Sequence, residues 1–389
     1  MPPIDSPAIA GRICVVGVGG GGCNALEGMV TNWESGPTVI AVNTDAQALG
    51  KSSVPTRLQI GSKITKGMGT GGDVKVGRLA AEDDFEAIRG LFSGMEMVFI
   101  VTALGGGTGT GAAPVRARAA HETGALVVAF ATLPFAFEGD RRMSQATNGL
   151  AELREQSDIV IVVPNERLFE SIGKEATAEQ AFRQADYTVA MGTLAIWKLL
   201  AHCGVINLDF ATLRMVARGS DGMSVFGYGE GRGPDRATEA VGQALNSPML
   251  DRGRAVAEAE AVLVSILGGP DLAFREVEAV MTAVRNAVRK DAHVFMGTAI
   301  DDRWMDTVSV TVIASEFWAS EEAPPEGEAG EPKKEPPASG RKRHSKATQT
   351  QLGLDTISKG IFKDVEPTIL DGQDLDIPTF IRRGVVLEK

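Results

Sequence analysis

The first half of the chain alternates short hydrophobic runs with longer segments of helical periodicity. The hydrophobic runs are rich in β-branched residues and have the length of buried strands. They cover residues 12–18, 38–43, 97–102, 125–132 and 158–163, and a helix-like segment at 141–156 precedes the last of them. Buried strands that alternate with helices predict a parallel sheet covered on both faces, which is a Rossmann-like α/β architecture.

The second half begins with a long predicted helix at residues 178–203. Thr177 and Gln180 form a capping-box pattern before it, and Gly204 suits its C-terminal stop. Five of its apolar residues fall on one face, which is predicted to face the core, and Thr193 is the polar exception on that face. The residues of this face are Phe182, Ala185, Val189, Ile196 and Leu200.

Four more strand-like runs follow the long helix, and two helix-like segments separate them. The strands are predicted at residues 223–228, 261–267, 293–298 and 309–314, and the helices at 234–246 and 272–290. This pattern predicts a second α/β domain, with a mixed sheet.

The composition of the chain changes after Trp318. No large apolar residue follows until Leu352, and five of the twenty residues from 321 to 340 are proline. Such a segment buries too little apolar surface to offset the entropy of ordering, so a disordered linker is predicted. The basic cluster at residues 341–346 is a solvated face of this linker or a contact for nucleic acid or lipid.

Charge and composition narrow the class of protein. Acidic residues number 50 and basic residues 39, a formal net charge of −11, so nucleic acid is not expected as the main partner. Three cysteines without CxxC spacing and four scattered histidines predict neither a disulfide framework nor a dedicated metal site. Residues 1–12 lack signal-peptide features, and the most apolar stretch, 124–137, is too short to cross a bilayer. A cytoplasmic protein is therefore expected.

Glycine is enriched, with 46 residues in 389, and it clusters after two of the predicted strands. The first cluster, Gly17 to Gly22, satisfies GxGxxG between a strand and a helix. Glycine lets the backbone approach a phosphate, and a helix N-terminus offers free N–H groups and a positive dipole end. This motif alone leaves a dinucleotide and another phosphate ligand equally open, since Asp45 lies near where an NAD-binding fold places its ribose-binding acid.

The second glycine cluster is Gly105-Gly-Gly-Thr-Gly-Thr-Gly111, which follows the strand at 97–102 and precedes a helix predicted at 112–123. Two glycine loops at two strand ends indicate a ligand with an extended phosphate chain that is held from both sides. Thr108 and Thr110 are expected to add hydroxyl donors. The pattern GxxxxGK[ST] does not occur in the sequence, so the chain is not a P-loop protein.

The second cluster is the GGGTGTG signature of the tubulin/FtsZ family, and the chain resembles this family over residues 11–315. Further motifs occur in the family's order: Gly19–Asn24, Asn43-Thr44-Asp45, Thr65-Lys66-Gly67, residues 134–139, Pro164-Asn165 and residues 207–211. The resemblance implies six parts: an N-terminal extension (1–10), a GTP-binding domain (11–176), a central helix (177–204), a GTPase-activating domain (205–316), the linker (317–375) and a partner-binding peptide (376–389).

The resemblance also implies that the ligand is GTP or GDP, with Mg²⁺ expected beside the nucleotide. The implied binding residues are Gly20, Gly21, Gly22, Cys23, Asn24, Gly107, Thr108, Gly109, Glu138, Arg142, Phe182 and Asp186. Asn24 and Asp186 are expected at the guanine, with Phe182 stacked on it. Glu138 and Arg142 are expected at the ribose and phosphate edge. Without the resemblance, Phe182 is interpreted as a core residue and Glu138 as a solvated loop carboxylate.

In this family the GTPase site is completed between subunits, which implies head-to-tail filaments. The implied catalytic residues are Asn207, Asp209 and Thr212, the last of which replaces the family's second acidic residue. Threonine orients a water through one hydrogen bond but cannot stabilise positive charge that develops on it. Two functions therefore stay open: a polymerising GTPase, and a GTP-binding filament or regulatory co-polymer with weak or absent hydrolysis.

The resemblance resumes at residues 376–383. The implied partner-binding residues are Asp376, Ile377, Pro378, Phe380, Ile381, Arg382 and Arg383. Apolar residues beside two arginines on a long tether suit docking into a partner's groove, and a frayed terminus is the alternative. The family implies membrane-tethering division proteins resembling FtsA as partners, and a cytoplasmic location at the division site.

Overall fold

A computed structural model describes residues 12–30, 37–169, 177–201, 206 and 224–315, together with the backbone of 369–370 and 373–374. The chain divides into two compact units, Met1–Ala323 and Pro324–Lys389. In the second unit, Ile369–Leu370 and Gln373–Asp374 form an antiparallel pair of short strands. The rest of the predicted linker and terminal peptide lies outside the described residues, as does the N-terminal extension.

The first unit is built on one continuous sheet. Among the described residues its ten strands are β1 (Ile13–Val18), β2 (Thr38–Asn43), β3 (Thr56–Gln59), β4 (Met97–Ala103), β5 (Leu126–Leu133), β6 (Ile159–Pro164), β7 (Ser224–Arg232), β8 (Ala261–Gly268), β9 (His293–Ile300) and β10 (Thr307–Ser315). Their order across the sheet is β3-β2-β1-β4-β5-β6-β7-β10-β8-β9.

The direction of the strands divides this sheet into two halves. Strands β1 to β6 are parallel, β10 is antiparallel to both β7 and β8, and β9 is parallel to β8. The two halves meet where Ile161 of β6 pairs with Ser224 of β7. The parallel sheet and the mixed sheet that the sequence predicts are therefore both present, and they are joined edge to edge.

Helices connect the strands and cover both faces of the sheet. Their bounds are α1 (Gly19–Val30), α2 (Ala46–Lys51), α3 (Ser62–Thr65), α4 (Val74–Asp83), α5 (Phe85–Leu91), α6 (Gly107–His121), α7 (Asp140–Glu155), α8 (Asn165–Phe169), α9 (Ala178–Ala201), α10 (Arg236–Leu245), α11 (Arg254–Glu258) and α12 (Phe274–Ala287). Within the described part of the chain, no helix combines the length and apolarity that a bilayer crossing requires.

The central helix α9 lies on the face of the sheet that both halves share. Its core neighbours include Phe130 of β5, Phe226 of β7 and Leu263 of β8. The capping box predicted at its start is confirmed, because Gln180 N donates to Thr177 Oγ1 at 3.2 Å and Thr177 N donates to Gln180 Oε1 at 2.8 Å. One helix thus connects the two halves.

Because of this position, α9 is buried over a wider part of its surface than the single apolar face that the sequence predicts. Residues 189–199 are all buried, because the two halves of the sheet and α1 surround them. Lys198, which lies outside the predicted face, is also buried, and Thr193, the polar residue on that face, donates its hydroxyl to Val189 O at 2.9 Å. Phe182, which the pattern places in the core, is 43% exposed. The prediction of a core position for Phe182 is therefore wrong.

The sequence predicts nine of these strands, and the differences have physical causes. β7 extends to Arg232, beyond the predicted end at residue 228, because it pairs with β10 along its whole length. The sequence does not predict β3, since Thr56–Gln59 is short and mostly polar and pairs only with β2. A short polar edge strand carries no hydrophobic signal.

Candidate nucleotide site

Five strand ends lie at one edge of the parallel half of the sheet. The carboxyl ends of β1, β2, β4, β5 and β6 point the same way, because these strands are parallel. In open α/β sheets, ligands bind in the crevice beyond such ends. The segments that follow β1, β4 and β5 carry most of the GTP-binding residues that the sequence predicts.

Both glycine clusters belong mainly to the first turns of helices, α1 and α6, rather than to loops. These helices start earlier than expected because glycine lets them pack closely. A Cβ built on Gly19 would lie 2.8 Å from Gly109 N, and one built on Gly22 would lie 2.3 Å from Val101 O. The N-termini of α1 and α6 therefore lie side by side.

Two glycines of the clusters face open space instead of neighbouring backbone. A Cβ built on Gly20 or Gly106 meets no atom within 4 Å. Gly20 is exposed in the first turn of α1, and Gly106 is the N-cap of α6. Free N–H groups and the positive ends of two helix dipoles are presented together here, which suits a phosphate chain. Gly106 is a candidate that the motif-based assignment missed.

Three threonine hydroxyls form hydrogen bonds at the N-terminus of α6. Thr108 of α6 shares a hydrogen bond of 2.8 Å with Thr44, which follows β2, and one of 3.5 Å with Thr70. Thr44 is buried, and its N–H donates to Asn43 Oδ1 at 2.9 Å. The family motif at residues 43–45 signals Thr44, although the sequence did not assign it to the site, and nothing in the sequence signals Thr70.

Two expectations at this edge are corrected by the structure. Thr110 does not offer its hydroxyl to a ligand as expected, since it is buried and its Oγ1 accepts a hydrogen bond from Gly105 N at 2.8 Å. Asp45 caps α2 by accepting from the N–H groups of Gln47 and Ala48 at 2.8 and 3.0 Å. Asp45 thus has a structural role as the N-cap of α2, which accounts for this residue without a dinucleotide ligand.

Glu138 and Arg142 form an ion pair directly after β5. The Glu138 side chain is only 12% exposed and also accepts a hydrogen bond from Phe135 N at 2.9 Å. A Cβ built on Gly105 would lie 3.1 Å from Arg142 O, so the pair stands beside the second glycine cluster. The structure therefore brings these two predicted residues together, and Glu138 is not a solvated loop carboxylate.

Aromatic rings connect the start of α9 to the segment after β5. Phe182 packs edge-on against Phe135 with ring centroids 5.4 Å apart, and Phe135 stacks on Phe137 at 5.0 Å. Phe182 stays partly exposed, and Phe137 is 73% exposed. An exposed ring on a fixed helix is suited to stacking on a planar base.

Asp186 lies one turn after Phe182 on α9. Burial raises the pKa of its carboxyl to about 7. A carboxylate that has lost part of its hydration gains from a ligand with hydrogen-bond donors, such as the N1–H and N2–H₂ edge of guanine. Asp186 and Phe182 are therefore placed together as a candidate base-binding pair.

The two predicted residues that follow the first glycine cluster differ in exposure. Asn24 is exposed on α1, which packs against α9. The Cys23 thiol is buried and donates to Gly17 O and Val42 O, both at 3.6 Å, and burial raises its pKa to about 12. The side chain of Cys23 thus belongs to the core, and its backbone N–H is the group left for a ligand.

Asn165 begins α8, directly after β6, and is buried. Its Oδ1 has no hydrogen-bond partner among the described residues. An unpaired buried acceptor costs about 1–3 kcal/mol, which a donor on a ligand would recover. The Pro164-Asn165 motif signals this residue, although the sequence did not assign it to the site.

Part of the predicted site lies outside the described residues. This applies to the catalytic set Asn207, Asp209 and Thr212, and to the partner-binding set Asp376, Ile377, Pro378, Phe380, Ile381, Arg382 and Arg383. Ile206, the residue directly before the catalytic set, is described and is hydrogen-bonded to Thr298 of β9.

Comparison with known proteins agrees with this architecture. Residues 12–173 match the Tubulin/FtsZ family, GTPase domain, and residues 222–318 match the FtsZ family, C-terminal domain. An empty FtsZ dimer from M. jannaschii shares 37% sequence identity, with a TM-score of 0.73 over 78% of this chain and 88% of that chain. A GTPγS-bound protofilament of CetZ2 from Haloferax volcanii matches with a TM-score of 0.64 over 80% of this chain and 94% of that chain, at 23% identity. The likeness to CetZ2 is one of fold.

An α/β sheet with two glycine-rich helix N-termini at the carboxyl ends of its parallel strands defines a nucleotide-binding protein. The two domain matches and the FtsZ likeness are more specific: the chain belongs to the tubulin/FtsZ family. It carries the GTPase domain of that family, which implies binding of GTP and GDP, and the family polymerises with itself.

Proposed function

We propose that this protein is a GTPase that polymerises head to tail into filaments and scaffolds cell division. The observation that carries the proposal is the pair of adjacent helix N-termini, with open space before Gly20 and Gly106. Two such N-termini suit a polyphosphate better than a single phosphate group. Membership of the tubulin/FtsZ family supports guanine as the base and a polymer as the assembly.

In the proposed complex the nucleotide lies across the carboxyl ends of the parallel strands. Its phosphates are held by Gly20, Gly21, Gly22, Cys23, Gly106, Gly107, Thr108 and Gly109, largely through backbone N–H groups. Glu138 and Arg142 bind the ribose and the phosphate edge. The base stacks on Phe182 and donates to Asp186. Asn24 and the unpaired Asn165 Oδ1 complete the base site.

Mg²⁺ is proposed to accompany the nucleotide. Among the described residues, no group of three or more His, Cys, Asp or Glu side chains is placed to hold a metal ion. Mg²⁺ beside a nucleotide usually keeps several waters and is bound through one or two carboxylates together with the phosphate oxygens. When bound, it neutralises charge on the phosphate oxygens.

Two exposed phenylalanines support the proposed filament. Phe137, in the nucleotide-side segment after β5, is 73% exposed, and Phe274, at the start of α12, is 75% exposed. In the sheet, β5 and β8, the strand before α12, are separated by β6, β7 and β10, a distance of roughly 19 Å. A head-to-tail filament requires contact between two unlike surfaces, and these two positions are proposed to lie on them.

Hydrolysis is proposed at the contact between subunits. A water oxygen bonds to the γ-phosphorus as the bond to the β–γ bridging oxygen breaks, and the products are GDP and phosphate. The Asp209 carboxylate of one subunit orients the water at the nucleotide of the next and accepts its proton, with Asn207 beside it. These roles follow from the family resemblance of residues 207–211.

Thr212→Asp is expected to raise the rate of phosphate release per assembled subunit about tenfold or more, because a second carboxylate stabilises developing positive charge on the water. Thr212→Ser keeps the hydroxyl and is expected to leave the rate unchanged. The measurement is phosphate release from sedimented polymer at saturating GTP. A fast wild type that Thr212→Asp does not accelerate would mean that Thr212 does not limit hydrolysis.

A GTP-binding filament or regulatory co-polymer with weak or absent hydrolysis is the second candidate function. Thr212 favours it, because one carboxylate of the catalytic segment is missing. Asp209 and the complete terminal motif at residues 376–383 favour the GTPase. Polymer that sediments with GTP without releasing phosphate would identify the second function.

GTP binding is expected to weaken on acidification, because burial raises the pKa of Asp186 to about 7 and the guanine donors need an ionised carboxylate. The Kd for GTP is expected to rise about tenfold from pH 8 to pH 6 in an equilibrium titration. Asp186→Asn should remove this dependence and weaken binding at every pH. A wild-type Kd that is constant over this range would exclude Asp186 as the guanine ligand.

Protonation of Asp186, which is expected to weaken GTP binding, is expected to stabilise the fold of the free protein. The folded state holds its proton more tightly than the unfolded chain, whose aspartate pKa is about 3.9. The contribution to the free energy of unfolding is therefore full below about pH 4 and is lost as the pH rises towards 7.

The division role is proposed to depend on the terminal peptide. Ile377, Phe380 and Ile381 would dock into membrane-tethering division proteins resembling FtsA, with Arg382 and Arg383 at an acidic rim or anionic lipid. Deleting residues 376–389 should abolish binding to such partners in cytoplasmic extracts and leave GTP-dependent sedimentation intact. Loss of sedimentation as well would contradict a separate partner-binding peptide.

A further inference from the structure

The C-terminal part of α9 is attached to the second half of the sheet through buried polar groups. Lys198 Nζ donates to Asp301 Oδ2 at 2.8 Å, just after β9 ends. Ser265 Oγ of β8 donates to Ala195 O at 3.4 Å. Both contacts lie within the last two turns of the described part of the helix, which precedes the catalytic set in the sequence.

A third attachment lies closest to the catalytic set. Ile206 N donates to Thr298 Oγ1 at 2.9 Å, and Thr298 N donates to Ile206 O at 2.8 Å. Thr298 is fully buried in β9. Among the described strands, β9 is the last of the sheet, so Ile206 takes the hydrogen-bonding position that a further strand would occupy. One threonine thus holds both backbone polar groups of Ile206.

The position of Ile206 matters because Asn207 follows it directly and Asp209 is three residues further on. Three residues of chain reach at most roughly 11 Å, so Ile206 limits where the Asp209 carboxylate can lie. A displacement of a catalytic group by about 1 Å is enough to slow an enzyme about 100-fold. Fixing both polar groups of Ile206 therefore bears on the rate of the proposed hydrolysis.

We propose that Thr298 is a positioning residue for hydrolysis, and that its hydroxyl fixes the start of the segment that carries Asn207 and Asp209. This inference rests on the proposed function. Two parts of the chain then have different tasks. The carboxyl ends of β1, β4, β5 and β6 hold the nucleotide, whereas Thr298 of β9 affects the rate at which the nucleotide of the neighbouring subunit is cleaved.

The test compares Thr298→Val with Thr298→Ser in the full chain. Valine keeps the β-branched shape and the Thr298 N–H but removes the acceptor for Ile206 N, whereas serine keeps the hydroxyl. At saturating GTP, Thr298→Val is expected to release phosphate about tenfold or more slowly per sedimented subunit. Its Kd for GTP is expected to stay within about twofold of the wild type, and Thr298→Ser is expected to retain the rate within about threefold.

A merely structural role would lower thermal stability without changing the rate per sedimented subunit, and this result would overturn the inference. Thr298→Ser as slow as Thr298→Val would also overturn it, because the hydroxyl would not be the group that matters. If Thr298→Val does not fold, Thr298→Ala takes its place, since it also removes the acceptor for Ile206 N, and it is expected to slow release about tenfold or more. An unchanged Thr298→Ala rate would then count against the inference.

Two outcomes separate the positioning role of Thr298 from the GTPase activity itself. If wild-type polymer hydrolyses GTP and Thr298→Val does so equally well, only the positioning role fails. If wild-type polymer sediments with GTP but releases no phosphate, the GTPase and the positioning role fail together, while the filament remains.

Discussion

Replacing Gly20 by leucine is expected to weaken GTP binding about 100-fold or more while leaving the fold intact. A Cβ at Gly20 meets no atom within 4 Å, so a side chain can leave the backbone there without a clash at its first carbon. The leucine would, however, fill the space before the N-terminus of α1, where the proposed phosphates reach the free N–H groups. A 100-fold loss corresponds to about 2.7 kcal/mol of binding free energy.

Gly28→Leu is the matched control for this substitution. Gly28 lies on the same helix, and a Cβ built on it also meets no atom within 4 Å, but it is remote from the N-terminus. Both variants should unfold at or above the wild-type temperature, because leucine has the higher helix propensity. Equal GTP affinities of the two variants in an equilibrium titration would mean that the phosphates do not lie before Gly20.

Lys198→Met is expected to lower the free energy of unfolding by about 3 kcal/mol, because it removes one of the two cationic partners of the buried Asp301 carboxylate. The side chains of Lys198 and Asp301 are only 4% and 8% exposed, and the ammonium lies 5.1 Å from the centre of the Trp304 ring. Burial alone would raise the pKa of Asp301, but hydrogen bonds from Arg303 and Lys198 outweigh it and lower that pKa. The remaining bonds from Arg303 hold the loss near the lower end of the usual range.

Arg183→Met on the same helix is the control for Lys198→Met. Arg183 pairs with Glu179, and both side chains are largely exposed, so the loss is expected to stay below about 1 kcal/mol. Chemical unfolding of the two variants against the wild type measures both values. A loss below about 1 kcal/mol for Lys198→Met would show that this buried pair does not stabilise the joint between α9 and the second half of the sheet.

Much of the fold could be predicted from the sequence, because most strands are buried on both faces and appear as continuous hydrophobic runs. The direct joining of the two halves through Ile161 and Ser224 could not, since one residue pair between separate segments leaves no pattern in either. The pattern also predicts too little burial for α9, for a related reason. A helix enclosed by two halves of a sheet also buries residues such as Lys198, which lies outside the one apolar face that the pattern predicts.

The candidate site could be predicted only in part, because the sequence does not show what each glycine faces. Gly20 and Gly22 belong to the same motif, yet Gly22 is needed for packing against Val101 O and Gly20 borders open space. Thr70 and the unpaired Asn165 Oδ1 became visible only when the fold brought separate strand ends to one edge. The glycine motifs indicate where the site lies, and the packing around each glycine shows which backbone groups are accessible to a ligand.

Sedimentation with parallel phosphate release tests whether the protein forms a GTP-driven head-to-tail filament that cleaves its nucleotide between subunits. With GTP, the protein is expected to pellet, and phosphate release should begin only above the protein concentration at which pelleting begins. With a non-hydrolysable analogue it should pellet without releasing phosphate, and with GDP it should stay in the supernatant. Phosphate release that is proportional to protein at all concentrations, or protein that stays in the supernatant with both GTP and the analogue, would contradict the account.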